Sequence, residues 1–133
     1  MKLQLLMLAL SLMPSPPADA KFPTEKQWQN DPANIKKFGV IKIDGKLAVE
    51  HVLWDRTRCD YVTATQAIEI DWAYKWSQGI GQSGWYSSAL DKEPCVILLV
   101  RDIHKDEKYI YRATAAAEKF GVEIIVEFVS PLP

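Results

Sequence analysis

Soft metal ligands are scarce in this chain of 133 residues: it has two cysteines and two histidines. Neither His51 nor His104 stands at a usual zinc-ligand spacing from Cys59 or Cys95, which argues against a zinc or metal-thiolate centre. An excess of one charge is also lacking. The formal net charge is -1, so nothing draws the chain toward polyanions in general, and a nucleic-acid contact would have to rest on a local patch. There is no internal repeat and no low-complexity segment, which excludes repeat arrays and leaves one compact domain.

Long hydrophobic runs are missing too, with one exception. "LQLLMLALSLM", from Leu3 to Met13, is about half of the roughly 20 residues that span a bilayer. Lys2 precedes it, and "PSPPADA" follows, ending in the small-x-small site Ala18-Asp19-Ala20. The pattern predicts a secretory signal over residues 1–20 and a single domain over 21–133, exported to a periplasm or to the medium, with no anchor left after cleavage. A buried N-terminal helix is the alternative. Since an exported protein meets an oxidising compartment, spacing alone leaves one disulfide between Cys59 and Cys95 open.

The remaining sequence alternates strand and helix patterns. "TEKQWQNDPANIKKFG" predicts a short helix interrupted or restarted at Pro32. In "VIKIDGKLAVEHVLW" two alternating runs flank Asp44-Gly45, which suits a tight hairpin turn. "RTRCDYVT" and "QAIEIDW" predict two more strands, joined at Ala64-Thr65, followed by a helix from Ala73 to Leu90. "CVILLV" suits a strand covered on both faces, and a helix ending at Gly121 and the strand "VEIIVEF" complete the order. This predicts an α/β fold: a three-layer sandwich whose mixed central sheet of about five strands has helices on both faces.

Chemistry concentrates between Arg56 and Tyr86. Strand alternation turns Glu69 and Asp71 to one face and Ile68 and Ile70 to the other. With Asp60 on the neighbouring strand, three carboxylates gather, and such a group suits magnesium or manganese, hard ions that take oxygen ligands and keep open positions. Counted from Asp71 at helical spacing, Lys75, Gln78, Gln82 and Tyr86 of the following helix fall on one stripe with it. Lys75 can there hold a water or offset transition-state charge. Taken singly, each residue also has a bland reading: Asp71 as a helix cap or partner of Lys75, Gln82 as a solvated side chain. Gly79, Gly81 and Gly84 would each cost about 1 kcal/mol against alanine within a helix, so they call for a close approach to the sheet or to a ligand. Trp72 and Trp76 read as core filling around that helix, and Trp85 reads equally as core or as a base-stacking surface.

These motifs resemble the PD-(D/E)XK nuclease superfamily over about residues 46 to 101. Asp60 in "RTRCDYV" matches the first acid and Glu69 in "AIEID" the second, while "QSGWY" from Gln82 to Tyr86 is similar to the Q-x-x-x-Y of the RecB-like exonuclease branch. The segment also resembles a group of small bacterial proteins that share TR-x-D and AIE-x-D. The family's lysine stands two residues after the second acid, a position that Asp71 holds here; relocation onto the next helix makes Lys75 the candidate. The resemblance implies a restriction-endonuclease-like fold and a metal-dependent phosphodiesterase acting on nucleic acid. Asp60, Glu69 and Lys75 would be catalytic, Asp60, Glu69 and Asp71 would bind magnesium or manganese, and Gln82, Tyr86, Arg58 and Arg56 would orient the site or meet phosphates. Glu50 is a further acid on the preceding strand. A non-catalytic binding or interaction domain on the same fold is the alternative, favoured by Asp71 in the lysine's place. That fold also sets the strand of Glu69 between the strands of Cys59 and Cys95, nearly 10 Å apart, which implies two free thiols.

Overall fold

The computed structural model describes residues 12–133. The apolar core of the expected signal falls largely on residues 1–11, outside the described residues, and residues 12–20 carry no helix or strand. Among the described residues no helix is long and apolar enough to cross a membrane.

Helix α1 spans Glu25–Gln29 and is opened by a reciprocal cap, in which the Gln27 amide N–H donates to Thr24 Oγ1 at 3.1 Å and the Thr24 N–H donates to Gln27 Oε1 at 2.8 Å. Asp31 caps a second helix, α2 (Pro32–Lys37), with Pro32 in its first turn, where the missing N–H costs nothing. Pro32 thus restarts the helix. Strands β1 (Lys42–Ile43) and β2 (Lys46–Leu47) pair antiparallel around Asp44 and Gly45, whose φ angles of 52° and 80° suit the hairpin turn. The run after that turn does not continue as one strand: it breaks at Ala48, and β3 (Val49–Val52) joins a different sheet.

That sheet has the order β3-β4-β5-β6-β7, with β4 at Arg58–Val62, β5 at Gln66–Trp72, β6 at Glu93–Val100 and β7 at Glu123–Phe128. The first three strands are antiparallel neighbours, whereas β5, β6 and β7 run parallel. Parallel strands need crossovers. A 3-10 turn (Ala73–Lys75) with α3 (Trp76–Leu90) supplies the first, and α4 (Ile103–Phe120) supplies the second.

Alternation along β5 and β6 divides the core. Ile68, Ile70, Trp72, Cys95, Ile97 and Leu99 pack with Trp28 of α1 and with Ile35 of α2, while Val96 and Leu98 pack with Ile80 of α3 and Ala113 and Ala117 of α4. Helices therefore cover both faces of the central strands. Each fully buried Leu or Ile here contributes about 1.5–3 kcal/mol relative to exposure. Cys59 and Cys95 are free and buried, separated by β5 and held in different clusters. The fold class expected from the sequence is the one observed.

Candidate active site

The β4–β5 ladder pairs Val62 with Ala67 and Tyr61 with Ile68, and then stops. One step further Asp60 lies opposite Glu69, where side chains take over from the backbone. The Ile70 N–H donates to Asp60 Oδ2 at 2.8 Å, and the Asp60 N–H donates to Glu69 Oε1 at 3.3 Å. Each carboxylate thus satisfies an amide that the parted strands leave open. The two carboxyl groups also lie within hydrogen-bonding reach of each other.

Glu69 and Asp71 share a face of β5, as alternation requires, but that face is covered. Their exposures are 5% and 7%, because β5 is a central strand with α3 lying over this side. A Cβ on Gly79 of α3 would stand 2.9 Å from Asp71 Oδ2, so the missing side chain is what gives the Asp71 carboxylate its room. Gly81 and Gly84 have nothing within 4 Å of the corresponding position. Close approach explains one of the three glycines and leaves the other two facing open space.

A further acid joins this group from far away in the chain. Glu25, at the start of α1, acts electrostatically on both Asp60 and Asp71, and Lys75 acts in turn on both Glu25 and Asp71. Glu50 adds its charge from the edge strand, where its φ of 50° is unusual for a side chain of this kind and where it pairs with Lys26 at 3.8 Å. Glu25 was not among the residues singled out by sequence. It reads there as an acid in the first turn of a helix, which the helix dipole favours anywhere, and no local spacing links it to a strand some forty positions away.

Burial and mutual repulsion push these carboxyl groups upward. Asp71 rises to about 7, first through desolvation and then through the charges of Glu25 and Asp60, with Lys75 opposing. Glu69 is raised by desolvation and by Asp60, and Asp60 is raised by desolvation, offset in part by the Ile70 amide. Glu25 is raised by desolvation against the pull of Lys75. At neutral pH so many acids cannot all ionise beside one lysine; they hold protons or they hold a cation. Among the described residues two buried side-chain oxygens, Glu25 Oε2 and Asp71 Oδ2, accept no hydrogen bond.

The other residues of the motif are placed differently. Tyr86 is buried in a cluster with Ala48, Leu53, Cys59, Val62 and Ala67, with its hydroxyl facing Thr57 and the Arg58 backbone. Its ring is a core element, although Glu69 lies within electrostatic reach. Gln82 is exposed, one turn before it on α3. The stripe from Asp71 to Tyr86 therefore does not face one site along its length. Arg56 and Arg58 are exposed in the β3–β4 turn and at the start of β4, and neither forms an ion pair among the described residues.

The donor set is chemically suited to magnesium or manganese, being oxygen only and rich in charge. Among the described residues, however, no three of His, Cys, Asp and Glu stand together as a ligand shell, and Asp60 and Glu69 each direct one oxygen to a backbone amide. No family model, curated protein or solved structure matches the chain. The site's chemistry has to be read from its own residues.

Proposed function

We propose that the carboxylates of Asp60, Glu69 and Asp71 form the divalent-cation site of an exported phosphodiesterase that acts on nucleic acid, as the motif resemblance implies. The observation that supports this most is the buried, unpartnered Asp71 Oδ2, enclosed by acids with raised pKa and given space by Gly79. Unpaired buried carboxylate oxygen is costly unless something charged or hydrogen-bonding compensates it. Magnesium or manganese, when bound, would polarise the phosphodiester and acidify a coordinated water.

Each residue has a part in this reading. Asp60 and Glu69, whose carboxyl groups lie within reach of each other, would each give an oxygen to the ion and lose the protons that their raised pKa values favour. Asp71 would add the oxygen that has no partner. Lys75, beside Asp71 at the end of the 3-10 turn, would hold the attacking water or offset charge on the phosphate oxygens. Arg56 and Arg58 would meet the backbone phosphates.

Cleavage of a labelled oligonucleotide in manganese, absent in EDTA and absent in Glu69→Gln, would bear the proposal out. Equal cleavage by wild type and Glu69→Gln, or none by either, would overturn it.

A second reading has its own observation. The oxygens of Asp60 and Glu69 that accept from backbone amides, with no ligand shell assembled, suit a structural network in a non-catalytic binding domain. In that case Glu69→Gln would alter stability and metal would alter nothing.

A further inference from the structure

At the outer end of β4 the chain exposes two tryptophans where burial would normally hide them. Trp54 is 82% exposed and Trp85 39% exposed, with ring centroids 6.1 Å apart and an interplanar angle of 74°. Apolar area left in water contributes nothing to folding, so the core does not explain the position of Trp54. The edge-to-face contact gives it a fixed neighbour.

The turn that carries Trp54 is held tightly. The Leu53 N–H donates to the Thr57 carbonyl at 2.8 Å and the Arg56 N–H donates to the Leu53 carbonyl at 3.0 Å, with Arg56 in the left-handed region at φ 70°. Asp55 Oδ1 accepts from both the Thr57 N–H, at 3.1 Å, and the Thr57 hydroxyl, at 2.6 Å. Trp85 Nε1 donates to that same hydroxyl at 3.2 Å. Thr57 thus ties the turn to α3 and fixes the Trp85 indole, against whose edge or face the Trp54 ring rests, and such preorganisation lowers the entropy lost on binding.

Two exposed cations follow Trp54 in the chain. Arg56 lies in the turn itself, and Arg58 lies two residues before Asp60 on β4, about 7 Å of extended chain from the acidic site. The carboxylate in the turn, Asp55, accepts both hydrogen bonds from Thr57 through Oδ1, which hold its pKa below the usual range and keep it ionised.

We propose that Trp54 and Trp85 form a platform on which unpaired bases of a single-stranded nucleic acid stack, with Arg56 and Arg58 taking the adjoining phosphates; this rests on the phosphodiesterase reading above and narrows its substrate to single strands. Stacking on aromatic faces is tolerant of sequence because every base has a π-face, and bases within a duplex are not available for it. Alternating aromatic and arginine side chains supply both parts of the ligand with what they need. From Arg58 the strand would run along β4 toward Asp60.

Binding of the full chain to fluorescein-labelled oligothymidylate, followed by anisotropy in EDTA at low salt, tests the platform without cleavage. Single-stranded oligomer should bind more tightly than a duplex of the same length, and Trp54→Ala should weaken it about tenfold while Trp54→Phe restores most of the loss. Tyr111→Ala, which removes an aromatic residue of comparable exposure on α4, should change nothing. No binding, a preference for duplex, or an unchanged affinity in Trp54→Ala would overturn the platform. The two readings can fail separately. Stacking in EDTA without cleavage in manganese would retain the platform and remove the enzyme, whereas cleavage of single strands by Trp54→Ala at the wild-type rate would do the reverse.

Discussion

Gly79 on α3 and Asp71 on β5 meet across the helix–sheet interface: a Cβ on Gly79 would stand 2.9 Å from Asp71 Oδ2 and 3.0 Å from Val96 Cγ1. Alanine there would gain about 1 kcal/mol of helix propensity but would be pressed against a buried carboxylate and a buried valine, and overpacking of that kind costs about 1–3 kcal/mol. Gly81→Ala meets open space. We expect Gly81→Ala to match or exceed wild-type stability in urea unfolding and Gly79→Ala to fall below Gly81→Ala by roughly 1–3 kcal/mol.

The acids set an unusual pH dependence. In the unfolded chain Asp71 titrates near 3.8, and in the folded protein near 7. Between those values the folded state holds more protons, so the stabilisation is complete below the unfolded value and is lost as pH rises through the folded one. Asp60 and Glu69 are raised as well and act in the same direction. The metal-free protein should therefore lose stability between roughly pH 4 and pH 8, and Asp71→Asn should reduce that slope and stabilise the protein at the upper end by on the order of 1–2 kcal/mol. Urea midpoints across the range would show it. A stability that rises with pH would contradict it.

Substituting Lys75 would separate the proposed chemistry from the proposed metal binding. Its charge favours ionised Glu25 and Asp71, yet it donates nothing to a cation. Lys75→Ala should lower the manganese-dependent cleavage rate by about 10²–10³-fold, as loss of a group aimed at transition-state charge does. Manganese should still raise the melting temperature. Loss of both effects together would make Lys75 a structural residue.

Tyr86 and Gln82 should differ sharply despite sharing one motif. Truncating the buried aromatic ring, Tyr86→Ala, should cost about 3–5 kcal/mol in urea unfolding, whereas Gln82→Ala, on the exposed face of α3, should stay within about 0.5 kcal/mol of wild type.

Much of the fold was legible because periodicity reports local geometry. The alternation of Ile68, Glu69, Ile70 and Asp71 assigned the faces of β5 correctly, and Asp44-Gly45 marked its hairpin. What alternation cannot report is which face a helix later covers, and α3 buries the face that Glu69 and Asp71 share. Helical spacing similarly put Lys75, Gln82 and Tyr86 on one stripe, but the 3-10 turn at Ala73–Lys75 interrupts that spacing, and only Lys75 acts on the acids from beside them. Glu25 was beyond local reasoning altogether. Its role depends on α1 packing against the end of β5, a contact between distant parts of the chain.

The most direct measurement is calorimetric titration of the metal-free protein with manganese at neutral pH. Saturable binding that Glu69→Gln abolishes and Lys75→Ala leaves in place is the expected result; no binding by the wild-type protein, or unaltered binding by Glu69→Gln, would contradict a cation site at these acids.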